Sequence, residues 1–306
     1  MSLLGIFTRK GPSGFGYNST AQDVTAPLDL RGRNILVTGG NSGLGLETAR
    51  VLALRGACVI ATGRSEDKVR SACSELEGEI VPLACELTDP RSVRACAETV
   101  MARTGKLDAI ICNAGIIAPS KLERVFGYEL VFFTNHIGHF LLVTTLLGHL
   151  AEGARVVMVS SGAHRATRKA GIEFDDLSGE KHYSRWTAYG QSKLANLLFA
   201  KELARRLGDR GQSANAVDPG AIDTNLARHT SAPLRAGMFL ASPFLFKSIA
   251  QGAATQCYVA TSPTLAGVSG EYFSDCNIAK SSAHANDAEL AARLWSESER
   301  IVETLN

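Results

Sequence analysis

Two residues four apart, Tyr189 and Lys193 in "TAYGQSKLAN", could do proton chemistry together. Positions i and i+4 share one face of a helix, so a phenol and an ammonium would sit side by side. A phenol titrates near pH ~10 and is a poor acid or base at neutral pH, but a neighbouring positive charge favours its ionised form. The plainer reading of the pair is a solvated helix surface. A second group of residues, the glycines of "VTGGNSGLGLETA", has the spacing T-G-x-x-x-G-x-G at Gly39, Gly43 and Gly45. Small residues there allow a tight turn and the close approach of a pyrophosphate to amides at a helix N-terminus. A ligand-free βα turn is the plain alternative, and the position of the loop decides between them.

That position is set by the elements around it. From Asn34 onward, short apolar runs alternate with helical patterns: "NILVTG", "CVIATG", "EIVPLAC", "LDAIICNAG", "RVVMVSSG" and "SANAVDPG". Strands alternating with helices imply βαβ units. Runs that are apolar throughout imply a sheet covered on both faces. The expected fold is α/β: a single Rossmann-type doubly wound parallel sheet with helices on both faces. It spans residues 31–306, preceded by a Gly/Ser/Thr-rich extension over 1–30 that either wraps the domain or stays mobile. The glycine loop then falls between the first strand and the first helix, the placement expected for a dinucleotide site. The helix it opens starts near Leu44 and stops at Gly56. The second strand ends "ATGRSEDK", with Gly63 at the strand end where an acidic residue would bind the ribose hydroxyls. Arg64 follows it and suits a ribose 2′-phosphate, so the pattern favours NADP(H); a surface-loop arginine is the alternative.

The bulk numbers set limits. The chain has 306 residues, 45% hydrophobic, with a net charge of +2 and no basic block, which gives no indication of a nucleic-acid partner. Seven cysteines, an odd number with no C-x-x-C pair, point to a reducing compartment without a disulfide framework. The apolar run Leu3 to Phe7 is too short for a secretory signal. No uninterrupted apolar stretch reaches the length of a transmembrane segment. The expectation is a cytoplasmic protein. His136 and His139 could superficially suggest a metal site, but no third ligand follows at a suitable spacing, and helix packing is the better reading. His164, close to Ser161, receives no role.

Taken together, the motifs resemble the short-chain dehydrogenase/reductase family. "TGGNSGLG" resembles its cofactor loop, with Asn41, Ser42 and Leu44 beside the glycines. "CNAG" resembles the segment after its fourth strand, through Asn113, Ala114 and Gly115. "TNHIGHF" supplies Asn135, "VVMVSSGAH" supplies Ser161, and "YGQSK" supplies Tyr189 and Lys193. "DPGAIDTNL" resembles the segment that closes over the nicotinamide, with Pro219, Gly220 and Thr224. "NHIGHFLL", "YGQSKLANLLFAKEL" and "GEYFSDC" are similar to the retinol-dehydrogenase-like branch, which includes related plant and bacterial carbonyl reductases. Protochlorophyllide reductases share a "CNA" segment but typically lack a serine at the position of Ser161. The membrane-anchoring N-terminal helix of many retinol dehydrogenases is not seen.

The resemblance implies hydride transfer between NADP(H) and a carbonyl or alcohol. Tyr189 would be the proton donor, Ser161 would hold the substrate oxygen, Lys193 would bind the nicotinamide ribose, and Asn135 would support a proton-supplying water chain. Two departures stand out: Cys112 replaces an asparagine, and Glu86, followed by Leu87, stands where an aspartate near adenine is usual. Substrate specificity is expected in the segment after the P-G motif, about 226–254. There Met238, Phe239 and Phe244 make an apolar lid that fits a small apolar carbonyl or alcohol; core packing, a homo-oligomer surface and a lipid contact compete with that reading. A non-catalytic cofactor sensor is the rival function, since fold alone does not imply activity.

Overall fold

The apolar runs pair as parallel strands. In the computed structural model, which describes residues 9–208, 210–222 and 246–305, they are β1 (Asn34–Thr38), β2 (Cys58–Gly63), β3 (Glu79–Ala84), β4 (Leu107–Cys112), β5 (Leu150–Val159) and β6 (Ser213–Asp218). Two short strands follow, β7 (Tyr272–Ser274) and β8 (Asn277–Ile278). The sheet order is β3-β2-β1-β4-β5-β6-β7-β8, parallel throughout except for the final β7–β8 hairpin. The order reverses between β1 and β4, and such a switch point opens a crevice at the carboxyl ends of the strands. In register, Ile35 lies opposite Val59 on one side and Ala109 on the other.

Successive strand residues feed opposite faces. Leu36, Ile60, Ile110 and Val156 belong to one core, and Ile35, Val37, Val59 and Ile111 to the other. The first core is covered by α4 (Pro90–Arg103), a helical run α5 (Leu130–His149), α6 (Arg185–Arg206) and α9 (Ala288–Glu303). The second is covered by α1 (Ala21–Thr25), α2 (Gly43–Leu54), α3 (Glu66–Cys73) and α8 (Ala254–Thr261), the last preceded by the single turn α7 (Ile249–Gly252). Local chemistry sets the helix starts. Asp89 accepts from the Arg91 amide, and Pro90 occupies the first turn of α4, where its missing N–H is no loss.

α5 differs from expectation in two ways. Its 20 residues are apolar enough, with a mean hydropathy of 1.5, to cross a membrane by length and composition, although the sequence shows no uninterrupted run. It is, however, largely buried, with Phe132, Phe140, Leu142 and Leu146 packed into the first core, so it is a core helix here. The run also contains a π-helical turn over Phe133–Ile137, with Asn135 at its centre. Such turns displace one residue from the regular ladder and recur at functional sites.

The N-terminal extension wraps the domain over its described part. Thr20 and Asp23 form a reciprocal capping box for α1. Ala21 and Val24 join the second core, and the Phe15 ring meets Tyr258 edge-on at 5.6 Å.

Candidate active site

A cleft of about 800 Å³ runs across the carboxyl ends of β1 to β4. Its floor is the glycine turn: Gly39, Asn41, Ser42, Gly43 and Leu44 all line it. Gly43 has φ +54, and a Cβ there would have nothing within 4 Å. Ser42 precedes α2 without a side-chain cap, so the first-turn amides have no intrahelical or capping acceptor and open on the cleft. A helix start of this kind can accept an anion such as the pyrophosphate of a dinucleotide. Gly45 lies beneath, where a Cβ would fall 2.2 Å from the Gly39 carbonyl oxygen and 2.5 Å from Asn113 Nδ2. Gly45→Ala must therefore push the turn off α2. It is expected to cost about 1–3 kcal/mol of stability and to weaken nucleotide binding; denaturant unfolding and a binding titration check both.

At one end of the cleft stand Arg64, Ser65 and Lys68. Arg64 and Lys68 are exposed, and neither has a charged or hydrogen-bonding partner among the described residues. Sequence reasoning missed Lys68. It lies four residues after Arg64, and α3 brings both cations to the same end of the cleft. Glu86 and Leu87 form the wall beside them. The extra methylene of Glu86 has a use: one carboxylate oxygen accepts from both the amide and the hydroxyl of Thr88, at 3.1 and 2.8 Å, and closes the turn after β3.

The middle wall is Asn113, Ala114 and Gly115. Asn113 Nδ2 donates to the Thr38 carbonyl at 2.8 Å, and its Oδ1 accepts from Gln256 at 3.2 Å. Cys112, the departure from the family motif, is simply the fully buried last residue of β4. A buried relay fixes this wall. The Ala114 amide donates to Thr38 Oγ1, which donates to His139 Nε2, while His139 Nδ1 donates to the Asn135 carbonyl at 2.8 Å. Burial pushes the His139 pKa down to about 4, so the ring is neutral and can serve as both donor and acceptor. His136 packs against Phe132, Phe140 and Phe199 and reaches Ser298 at 2.8 Å. The two histidines are thus packing and relay groups.

The expected catalytic residues meet just beyond Gly115. Asn135 Oδ1 accepts from the Ile116 amide at 2.8 Å, and its Nδ2 donates to the Ile116 carbonyl and to Ser192 Oγ. The side chain therefore clamps the segment that walls the cleft. Lys193 Nζ donates to the Val159 carbonyl at 3.1 Å, lies 5.6 Å from the Tyr189 ring centroid and comes within 3.4 Å of where a Gly115 Cβ would be. Ser161 lies two residues past the end of β5; its hydroxyl caps the next turn through Ala163 N and lies beside the Tyr189 phenol. His164, given no role above, braces that turn from behind: Nδ1 donates to the Ser161 carbonyl at 2.7 Å, and Nε2 accepts from Ser282 N.

The electrostatics correct one expectation. Burial pushes the Tyr189 phenol up to about 12, Asp218 adds to the rise, and only the Ser161 hydroxyl opposes it. Lys193 is 4% exposed; burial pulls its pKa down to about 8, with Asp218 acting in the opposite direction. Within the chain alone, then, the lysine does not lower the phenol. Asp218, held by the Gly220 amide and the Tyr272 hydroxyl, is a site residue that sequence reasoning passed over as part of "DPG". Pro219 and Gly220 follow it at the end of β6. Thr224, Met238, Phe239 and Phe244 lie outside the described residues.

The sequence profile described as short chain dehydrogenase matches residues 33–174. The chain is 43% identical over 325 residues to a protein of Brassica napus named short-chain dehydrogenase TIC 32 B, chloroplastic, covering 100% of both chains. It is 42% identical over 278 residues to mouse retinol dehydrogenase 12, covering 89% of this chain and 86% of that one. Among solved structures, a blue fluorescent protein from a metagenomic library, in complex with NADPH, matches with a TM-score of 0.64 and 26% identity over 80% of this chain and 97% of that one. By these matches, and with Asn135 and Lys193 set against the Gly115–Ile116 wall of the cleft, the chain belongs to the short-chain dehydrogenases/reductases, with retinol dehydrogenases among its relatives.

Proposed function

We propose that the protein is an NADP(H)-dependent oxidoreductase that interconverts an apolar ketone or aldehyde and its alcohol, with Tyr189 as general acid and base. The observation that carries this reading is the convergence of Ser161, Tyr189 and Lys193 beside the Gly115–Ile116 wall of the cleft. The glycine turn and the open N-terminus of α2 would hold the pyrophosphate; Arg64 and Lys68 would hold a 2′-phosphate. When bound, the cofactor supplies or takes the hydride. The chain's part is then positional and protonic. Ser161 orients the substrate oxygen, Tyr189 gives or takes its proton, and the buried Lys193 ammonium favours ionised oxygen nearby. Ile116 and Ile249, 36% and 39% exposed, give the cleft apolar lining. Seven free thiols fit a reducing compartment such as the cytoplasm.

The test is consumption of NADPH, with NADH in parallel, across apolar aldehydes and ketones. NADPH-preferring turnover supports the reading, and NADPH binding without turnover on any of them favours a sensor. Arg64→Ala isolates the cofactor choice. Losing a charge-assisted contact of about 1.5–3 kcal/mol should weaken NADPH binding about 10- to 100-fold and leave NADH binding unchanged. An equal loss for both nucleotides would remove Arg64 from the 2′-phosphate site.

A further inference from the structure

Among the described residues Lys247 is the most buried lysine or arginine, 2% exposed against 4% for Lys193, and the mechanism gives it no task. A buried ammonium is costly unless it is paired. Here Nζ lies 2.5 Å from Asp275 Oδ1 and 5.1 Å from the centroid of the Tyr17 ring. The Lys247 amide donates to the Ala221 carbonyl, and the residue bridges to Ile222 in parallel register. Its Cδ and Cε come within 3.1 and 3.2 Å of where a Cβ on Gly220 would be, and Gly220 has φ +82, so the lysine stem packs on a turn that only glycine accommodates easily.

The partners come from distant parts of the chain. Asp275 and Cys276, at φ 52 and 62, form the turn between β7 and β8. The next residue, Asn277, accepts from the Ser13 amide and donates to the Phe15 carbonyl, which ties that turn to the N-terminal segment just before Tyr17. Gly220 in turn follows β6, the neighbour of β5, and β5 ends beside Ser161. The phosphate-binding glycine turn lies across the switch point on β1. Gly220 therefore borders the reacting half of the cleft, not the adenosine half.

We propose that Lys247 is a positioning residue for the Pro219–Gly220 turn, held by Asp275 and by Tyr17, and that the N-terminal segment thereby sets how tightly the nicotinamide end of the cofactor is bound. The inference rests on the NADP(H) reading above. Its test uses the full chain and two probes: NADPH, and 2′-phospho-ADP-ribose, which carries the same adenosine half but no nicotinamide. Lys247→Met and Tyr17→Leu are expected to weaken NADPH binding about 3- to 30-fold, the range of a partly desolvated cation–π contact. Both should leave 2′-phospho-ADP-ribose binding unchanged. Asp275→Asn supplies a second route to the same loss. An equal loss for the two probes would mean general destabilisation and would overturn the proposal, as would unchanged NADPH binding in all variants. If the wild-type chain binds neither probe, the cofactor reading falls, and this proposal falls with it.

Discussion

Tyr189→Phe is expected to bind NADPH as tightly as wild type and to lose turnover by about 10²- to 10⁴-fold, the usual contribution of a positioned acid or base. The substitution removes one oxygen from a half-buried residue whose ring packing, 5.6 Å from Lys193, is retained. Phenolic pKa decides the direction of the pH effect. Burial and Asp218 hold Tyr189 up at about 12 in the chain alone, so the proton is present throughout the neutral range, as reduction of a carbonyl requires. Reduction should therefore be insensitive to pH near neutrality and should fall on the alkaline side, as pH rises through the phenol's value in the complex. Oxidation should rise over that same interval, because it needs the phenolate. Rates in both directions against pH, for wild type and Tyr189→Phe, check this. Full turnover in the variant, or an alkaline limb that survives in it, would take the proton away from Tyr189.

What the sequence shows and hides follows from the range of the interactions. β1, β2 and β4 are apolar on both faces because helices cover both, and that pattern is local. The glycine turn is local too: Gly39, Gly43 and Gly45 are within seven residues, and their backbone needs are written in their spacing. Tyr189 and Lys193 share one helix face by periodicity alone. By contrast, the Thr38–His139–Asn135 relay joins residues about a hundred positions apart, and no periodicity marks His139 as a relay rather than a packing group. The π-turn at Asn135 has no composition of its own, since "FTNHI" would continue an α-helix equally well. Asp218 and Lys247 acquire meaning only once β6, the β7–β8 turn and the N-terminal segment come together. Arg64 was readable because it ends a strand, whereas Lys68 needed α3 to bring it back to the cleft.

Lys193→Met should separate stability from activity. The ammonium is almost fully buried, and burial lowers its pKa from 10.5 to about 8. That drop corresponds to about 3 kcal/mol of penalty for keeping the charge in the fold. The sign follows from proton binding. Between pH 8 and 10.5 the unfolded chain holds a proton that the folded chain has released, so wild-type stability rises with pH across that window. The penalty is complete below it and relieved above it. Methionine has a similar stem and no charge. The carbonyl that Lys193 leaves is not orphaned, because Asn196 Nδ2 also donates to the Val159 oxygen at 3.1 Å. Lys193→Met is therefore expected to be more stable than wild type at pH 7, by up to about 3 kcal/mol, to lose that advantage above pH 10.5, and to be nearly inactive at both. Urea unfolding at the two pH values, beside turnover, measures it. A variant less stable at pH 7 would show that the site gains stability from the ammonium, through Asp218 and the Val159 carbonyl. A more stable, inactive one would show a charge kept against the interest of the fold because the reaction needs it.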